Sequence, residues 1–143
     1  MMVSTRGRYA LRAMIDIAEH NTGEYITLKE IAERQEISDK YLESILPALT
    51  KARFLDGLRG KGGGYKLARA PESYTVGSIL KLVEGNFAPV ACLEYVPNKC
   101  PRASECPTLP MWQKFQTMAD DFFEGITIAD LCNQRRNDSD YVI

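Results

Sequence analysis

Cys92, Cys100 and Cys106 lie within fifteen residues of one another in the stretch CLEYVPNKCPRASECP, which holds three of the chain's four cysteines. Thiolates are soft metal ligands, and thiols oxidise reversibly, so the grouping fits a metal or iron–sulfur centre or redox chemistry. Pro97, Pro101 and Pro107 interrupt the stretch. Proline lacks an N–H and fixes φ, which excludes a continuous helix or a central strand there. The sulfurs are therefore expected on a loop, free to converge on one centre or to react with each other. A second grouping is basic. Between residues 51 and 69, Lys51, Arg53, Arg59, Lys61, Lys66 and Arg69 face a single acid, Asp56. Arg59 and Lys61 flank the start of a glycine-rich run, RGKGGGYK, whose residues permit positive φ and close approach to another surface. Cations presented this way suit phosphates.

The totals limit what these groups can belong to. The chain has 143 residues, 45% hydrophobic and 26% charged, and a formal net charge of −1. That is one domain, or one domain with an arm. The charge is unevenly spread. Residues 1–70 carry 12 Lys/Arg against 9 Asp/Glu, or +3, and residues 71–143 carry 6 against 10, or −4. A local basic patch on an acidic protein fits docking on nucleic acid, and a solvated basic face is the plain alternative. No apolar run is long enough to cross a membrane. The N-terminal segment MMVSTRGRYALRAM lacks the apolar core and cleavage site of a signal peptide. The expected location is cytoplasmic, where reduced thiols favour metal or redox roles over structural disulfides. With one histidine, no phosphate-binding loop and no dinucleotide motif, the sequence assembles no catalytic set. An enzyme is not expected.

Local signals place these groups on elements. Ser4 is the expected cap of a helix over about 6–20, and Thr27-Leu-Lys-Glu30 is a capping-box pattern opening a short helix to about Arg34. QEIS is a tight connection. Ser38 then caps a helix bearing Tyr41, Leu42, Ile45, Leu46 and Leu49 on one face, with Pro47 expected to kink or split it. Two strands at about 54–59 and 65–69 form a hairpin with Arg59 and Lys61 at its tip. Thr75 caps another helix, ended by Gly85. The cysteine loop occupies 86–107. A helix over 108–124 follows, carrying a wide apolar stripe from Met111 to Phe123, and Thr127-Ile-Ala-Asp130 starts a last short helix before a polar tail.

The expected fold is mainly α with a small β-hairpin: a winged helix-turn-helix plus a long dimerisation helix. The expected organisation is a DNA-binding unit at 1–85, a cysteine-containing sensor loop at 86–107, the dimerisation helix and short C-terminal helix at 108–135, and a polar tail at 136–143. The stripe on the long helix is wider than so small a domain needs for its own core. It is expected to centre a homodimer interface on Trp112, Phe115, Met118 and Phe122, since helix-turn-helix proteins commonly pair to match near-palindromic operators.

The order STRGRYALRAM, ISDKYLESIL, RGKGGGYKLAR, a three-cysteine loop, a tryptophan-containing helix and TIADL resembles the Rrf-two family of bacterial winged-helix transcriptional regulators, above all its IscR-type iron–sulfur branch. The resemblance spans roughly residues 2–132. It implies a homodimer on double-stranded DNA, with the helix after Ser38 in the major groove and the wing in the adjacent minor groove. Ser38, Lys40 and Glu43 then fall where the recognition helix meets bases and phosphates. Tyr41, Arg59 and Lys61 match the phosphate- and wing-contacting positions. Glu43 suits a cytosine amine, and Arg59 a narrow minor groove. Cys92, Cys100 and Cys106 match the ligands of a [2Fe–2S] cluster.

Two departures stand out. The spacing C-x7-C-x5-C is longer between the first two cysteines than in the best-known members, and the histidine expected three residues after the last cysteine is Leu109. The fourth ligand is unknown. Candidates are Glu94, Glu105, Cys132, a residue of a partner subunit and an exogenous thiol. Two other readings stay open: a regulator of the same kind controlled by thiol redox, nitric oxide or zinc, and one controlled by a partner enzyme.

Overall fold

A computed structural model describes the backbone of residues 3–140 and side chains through residue 134. Among the described residues it contains six helices and one two-stranded sheet: α1 (Thr5–Glu19), α2 (Leu28–Gln35), α3 (Asp39–Lys51), β1 (Leu55–Leu58), β2 (Gly64–Leu67), α4 (Val76–Glu84), α5 (Leu109–Glu124) and α6 (Ile128–Asp140).

The capping signals operate as the sequence dictates. Gly7, Tyr41 and Ser78 donate their backbone N–H groups to the side chains of Ser4, Ser38 and Thr75. Thr27 and Glu30 form a full capping box, with Thr27 N–H to Glu30 Oε2 at 2.8 Å and Glu30 N–H to Thr27 Oγ1 at 3.1 Å. Each satisfies an amide that the first helical turn leaves without an intrahelical partner.

Helix α1 is the hub. Ala10, Ala13, Met14 and Ile17 have no exposed surface and pack against Ile31 of α2, Leu42, Ile45, Leu46 and Leu49 of α3, and Ile79 of α4. Asp16, also fully buried, lies at the end of this face. Arg34 reaches it from α2 with Nε and Nη2 at 3.0 and 2.8 Å, and Gln35 Nε2 donates to it at 2.9 Å.

Of the kink or split expected at Pro47, the split does not occur: α3 runs unbroken from Asp39 to Lys51. Pro47 itself is exposed, while Leu46 and Leu49 on either side of it are buried. Packing of both halves on one core outweighs the lost hydrogen bond.

The strands pair antiparallel, Leu55 opposite Leu67 and Leu58 opposite Gly64. The hairpin is tied to the segment before α2: Ile26 and Tyr65 exchange backbone hydrogen bonds at 2.8 and 2.7 Å. A Cβ on Gly64 would lie 2.2 Å from the Ile26 carbonyl oxygen, so only glycine fits that crossing. Buried Tyr74 anchors the hairpin base, donating its hydroxyl to Phe54 C=O at 2.7 Å and accepting from Arg69 N–H at 2.9 Å.

Helix α5 packs on α4 through a second, smaller core in which Val76, Leu80 and Phe87 meet Ala119 and Phe123. The C-terminal helix departs from expectation. It is longer than expected, reaching Asp140, and Ile128 and Cys132 join the main core beside α1. The expected polar tail at 136–143 is therefore helical as far as 140, and 141–143 lie outside the described residues.

The Asp16 network yields a stability prediction. Arg34→Ala leaves a buried carboxylate with Gln35 and the His20 ring at 3.9 Å, and is expected to cost about 2 kcal/mol, below the range for a fully buried ion pair because the Arg34 side chain is a third exposed. Urea denaturation measures it, and a loss below about 0.5 kcal/mol, the level of an ordinary surface change, would refute the dependence.

Candidate nucleic-acid interface and cysteine loop

Helix α3 and the hairpin place most of the sequence-derived interface residues at two hollows and at the exposed hairpin tip. Ser38, Lys40 and Tyr41, at the start of α3, line a shallow hollow with Arg6 and Ser44. The Ser38 hydroxyl accepts from Tyr41 N–H at 3.2 Å, which leaves its own proton to donate outward. Tyr41 is not a core residue. It is 39% exposed, and its ring meets Tyr9 edge-on at 5.1 Å. Glu43 is exposed on the same helix.

A second hollow runs between the end of α3 and the hairpin, lined by Pro47, Thr50, Lys51, Gly57, Leu58, Arg59 and others. Arg59 and Lys61 are exposed at the hairpin tip, where Gly60 and Gly62 take positive φ of 89° and 77°.

Sequence reasoning missed part of this surface. Arg6 donates to the Ser44 hydroxyl at 3.0 Å and to the Ser44 carbonyl at 3.3 Å, which joins α1 to α3. Its basic residue type was visible, but its partner stands 38 positions away. Lys51, one of the basic grouping, lines the second hollow beside Arg59. Lys66, from the same grouping, is half-buried with its ammonium 4.6 Å from the centre of the Tyr25 ring.

The loop over 86–107 is irregular apart from a single 3-10 turn at Ala91–Leu93. Cys92, Cys100 and Cys106 are half-buried and form no disulfide. Their type fits a metal or iron–sulfur centre, but their placement in this conformation does not. Among the described residues no three His, Cys, Asp or Glu side chains gather closely enough to hold a metal. Leu109, where a histidine was expected, is buried, and Cys132 lies in the main core on α6. Glu105 shares a hollow with Cys106, Arg102 and Pro107, and Glu94 is exposed.

Cys106 has a distinct environment. Its sulfur lies 3.3 Å from the Thr108 hydroxyl. That hydrogen bond holds the thiol below the usual range, helped by the backbone of Thr108 and Leu109 at the start of α5 and by the charge of Arg102.

Helix α5 buries only Leu109 fully. Met111, Phe115, Met118 and Phe122, spaced to share one face, are 54, 46, 62 and 64% exposed. Trp112 is half-buried at the edge of that stripe. No helix of the described residues is long and apolar enough to cross a membrane.

Comparison with known proteins places this architecture. The family model described as Rrf2, iron-dependent transcriptional regulator, matches residues 3–134. The protein named rrf2 of Nitratidesulfovibrio vulgaris is 38% identical over 131 residues, covering 92% of this chain and 87% of that one. The structure of T. potens IscR superposes with a TM-score of 0.76 at 34% identity, covering 94% of this chain and 88% of that one. CymR, the global cysteine regulator of B. subtilis, superposes with a TM-score of 0.75 at 30% identity, covering 94% and 98%.

The Cys106 geometry gives a chemical prediction. The thiolate is the nucleophile, so a lowered pKa raises reactivity at neutral pH. Thr108→Val should return the pKa upward, slow iodoacetamide labelling of Cys106 at pH 7 and shift its labelling midpoint to higher pH. Peptide mass spectrometry reads this, and an unchanged midpoint would show that Thr108 does not set the reactivity.

Proposed function

The chain belongs to the Rrf2 family of winged-helix transcriptional regulators, and we propose that it works as a homodimer whose DNA binding is modulated by an iron–sulfur cluster on Cys92, Cys100 and Cys106. The observation that carries this is three unpaired thiols on the one irregular segment joining the winged unit to α5. The likeness to IscR supports it. Such a cluster, of [2Fe–2S] type, would supply a one-electron couple and reversible ligation to the loop. The cysteines do not surround a centre in the present conformation, so no step is assigned to it. Glu105, beside Cys106, is the first candidate for the fourth position.

On this reading α3 enters the major groove. Ser38, Lys40 and Glu43 meet base edges and phosphates, Tyr41 meets the backbone, and Arg59 and Lys61 reach the minor groove from the wing. Lys51 and Arg6 join them as backbone contacts. These cations counter the chain's overall negative charge locally, and binding should weaken steeply with salt as counterions are released.

The self-association surface is the stripe of Met111, Phe115, Met118 and Phe122, with Trp112 at its rim. Four large apolar side chains on one exposed helix face form a contiguous patch of the kind that marks an interface. Met118→Glu places a charge at its centre. Analytical ultracentrifugation should find monomer where the parent protein is dimeric, while thermal unfolding of the winged unit changes little. A dimeric Met118→Glu variant would send the interface elsewhere.

A second reading, control by cysteine oxidation without a cluster, is favoured by the lowered pKa of Cys106. Anaerobic purification separates the two. The cluster reading expects a brown protein with about two irons and two sulfides per chain, lost in Cys92→Ala. A colourless protein that stays metal-free after reconstitution with iron and sulfide would favour the thiol reading.

A further inference from the structure

Carboxylates link α5, α4 and α1 end to end. Glu124, the last residue of α5, accepts from the Thr75 hydroxyl that caps α4, at 2.9 Å. A Cβ on Gly77, in the first turn of α4, would lie 2.4 Å from Glu124 Oε1. Glu84, the last residue of α4, repeats the arrangement on α1. Its Oε1 accepts from the Ser4 backbone N–H at 2.6 Å and from the Ser4 hydroxyl at 2.5 Å. A Cβ on Gly7 would lie 2.2 Å from the same oxygen. In both places a glycine in the first turn makes room for a negative group at the positive end of a helix.

The Glu84 contact lies next to the surface facing DNA. Two residues beyond Ser4, Arg6 donates to the hydroxyl and carbonyl of Ser44 on α3. On its other side, Glu84 is followed by Gly85, with φ of 90°, where the chain leaves α4 for the cysteine loop.

We propose that Glu84 is a positioning residue for DNA binding. Through Ser4 it sets the first turn of α1, and so the place where Arg6 meets the recognition helix. The orientation of α4, and of the loop that leaves it, thereby reaches the α3 surface. This rests on the reading of α3 as the DNA-facing helix.

Electrostatics gives the proposal a sign that a charge effect alone would not share. Glu84→Gln removes a negative charge from the protein, and by that alone would tighten binding to phosphates. Loss of positioning weakens it. The probe is the duplex that the parent protein selects from a random-sequence pool, with affinity measured by fluorescence anisotropy. Glu84→Gln is expected to bind it about tenfold more weakly, within the usual range of coupling between sites. Gly7→Ala should do the same with every charge kept. Its methyl displaces the carboxylate, while alanine favours the helix.

In an Arg6→Ala background, Glu84→Gln should add less than about twofold, because residues acting as one unit are not additive. Circular dichroism and melting curves establish that each variant is folded. Unchanged or tighter binding by either Glu84→Gln or Gly7→Ala would overturn the proposal, as would full additivity with Arg6→Ala. Lys40→Ala, on the same surface and outside the contact, separates the two readings. If it leaves affinity intact, α3 is not the DNA surface and the proposal falls with that reading. If it weakens binding while Glu84→Gln does not, only the role of Glu84 is overturned.

Discussion

Asp16 is a carboxylate with no exposed surface in a core built mainly from alanine, methionine, isoleucine and leucine. A charge in that position is tolerable only with its partners, chiefly Arg34 and Gln35 at the end of α2, with the His20 ring at 3.9 Å. The constraint fixes the register of α2 on α1 in a way that apolar contacts, which are non-directional, do not. The turn after α2 then opens from a defined point: Glu36 takes the left-handed conformation at φ 55°, and Ser38 begins α3 two residues later. The position of α3 thus depends on an ion pair at the opposite end of α1 from Ser4.

The two halves of the molecule are held by different means. The winged unit has a continuous core of fully buried aliphatic side chains around α1. The α4–α5 junction is thinner. Its apolar part is Val76, Leu80 and Phe87 against α5, and around it Lys81 reaches Asp120 and Glu124 at 3.3 and 3.4 Å, all three substantially exposed. Exposed pairs of this kind contribute about 0–1 kcal/mol each. The arm is therefore the softer part of the fold, and the cysteine loop lies between the soft part and the firm one.

What the sequence made legible was local. Caps at Ser4, Thr27, Ser38 and Thr75 follow from hydroxyls placed three residues before an amide that needs an acceptor. The hairpin followed from two short apolar runs around a glycine tip. The apolar stripe of α5 was visible as periodicity, though its exposure was not, since periodicity does not say which face is covered. The misreadings came where tertiary packing decides. Pro47 taken alone allows a split, which four buried side chains on its helix prevent. The polar end of α6 offered no period to read. The contacts Arg6–Ser44 and Glu84–Ser4 span 38 and 80 positions and leave no trace in spacing. For the cysteines, sequence gave donor type and proximity along the chain, and a proline-interrupted loop does not convert that into proximity in space.

The exchange of hydrogen bonds between Ile26 and Tyr65 makes the hairpin a third party to the helix-turn-helix rather than an appendage. With Gly64 pressed onto the Ile26 carbonyl and Tyr74 anchoring the base, the distance from the Ser38 end of α3 to the Arg59 tip is set when the domain folds. The chain is then a ruler of constant length. If two such chains pair on DNA as proposed, a signal that changes how they are set apart changes the preferred spacer between half-sites, whereas the Glu84–Ser4 contact acts on the α3 surface within one chain.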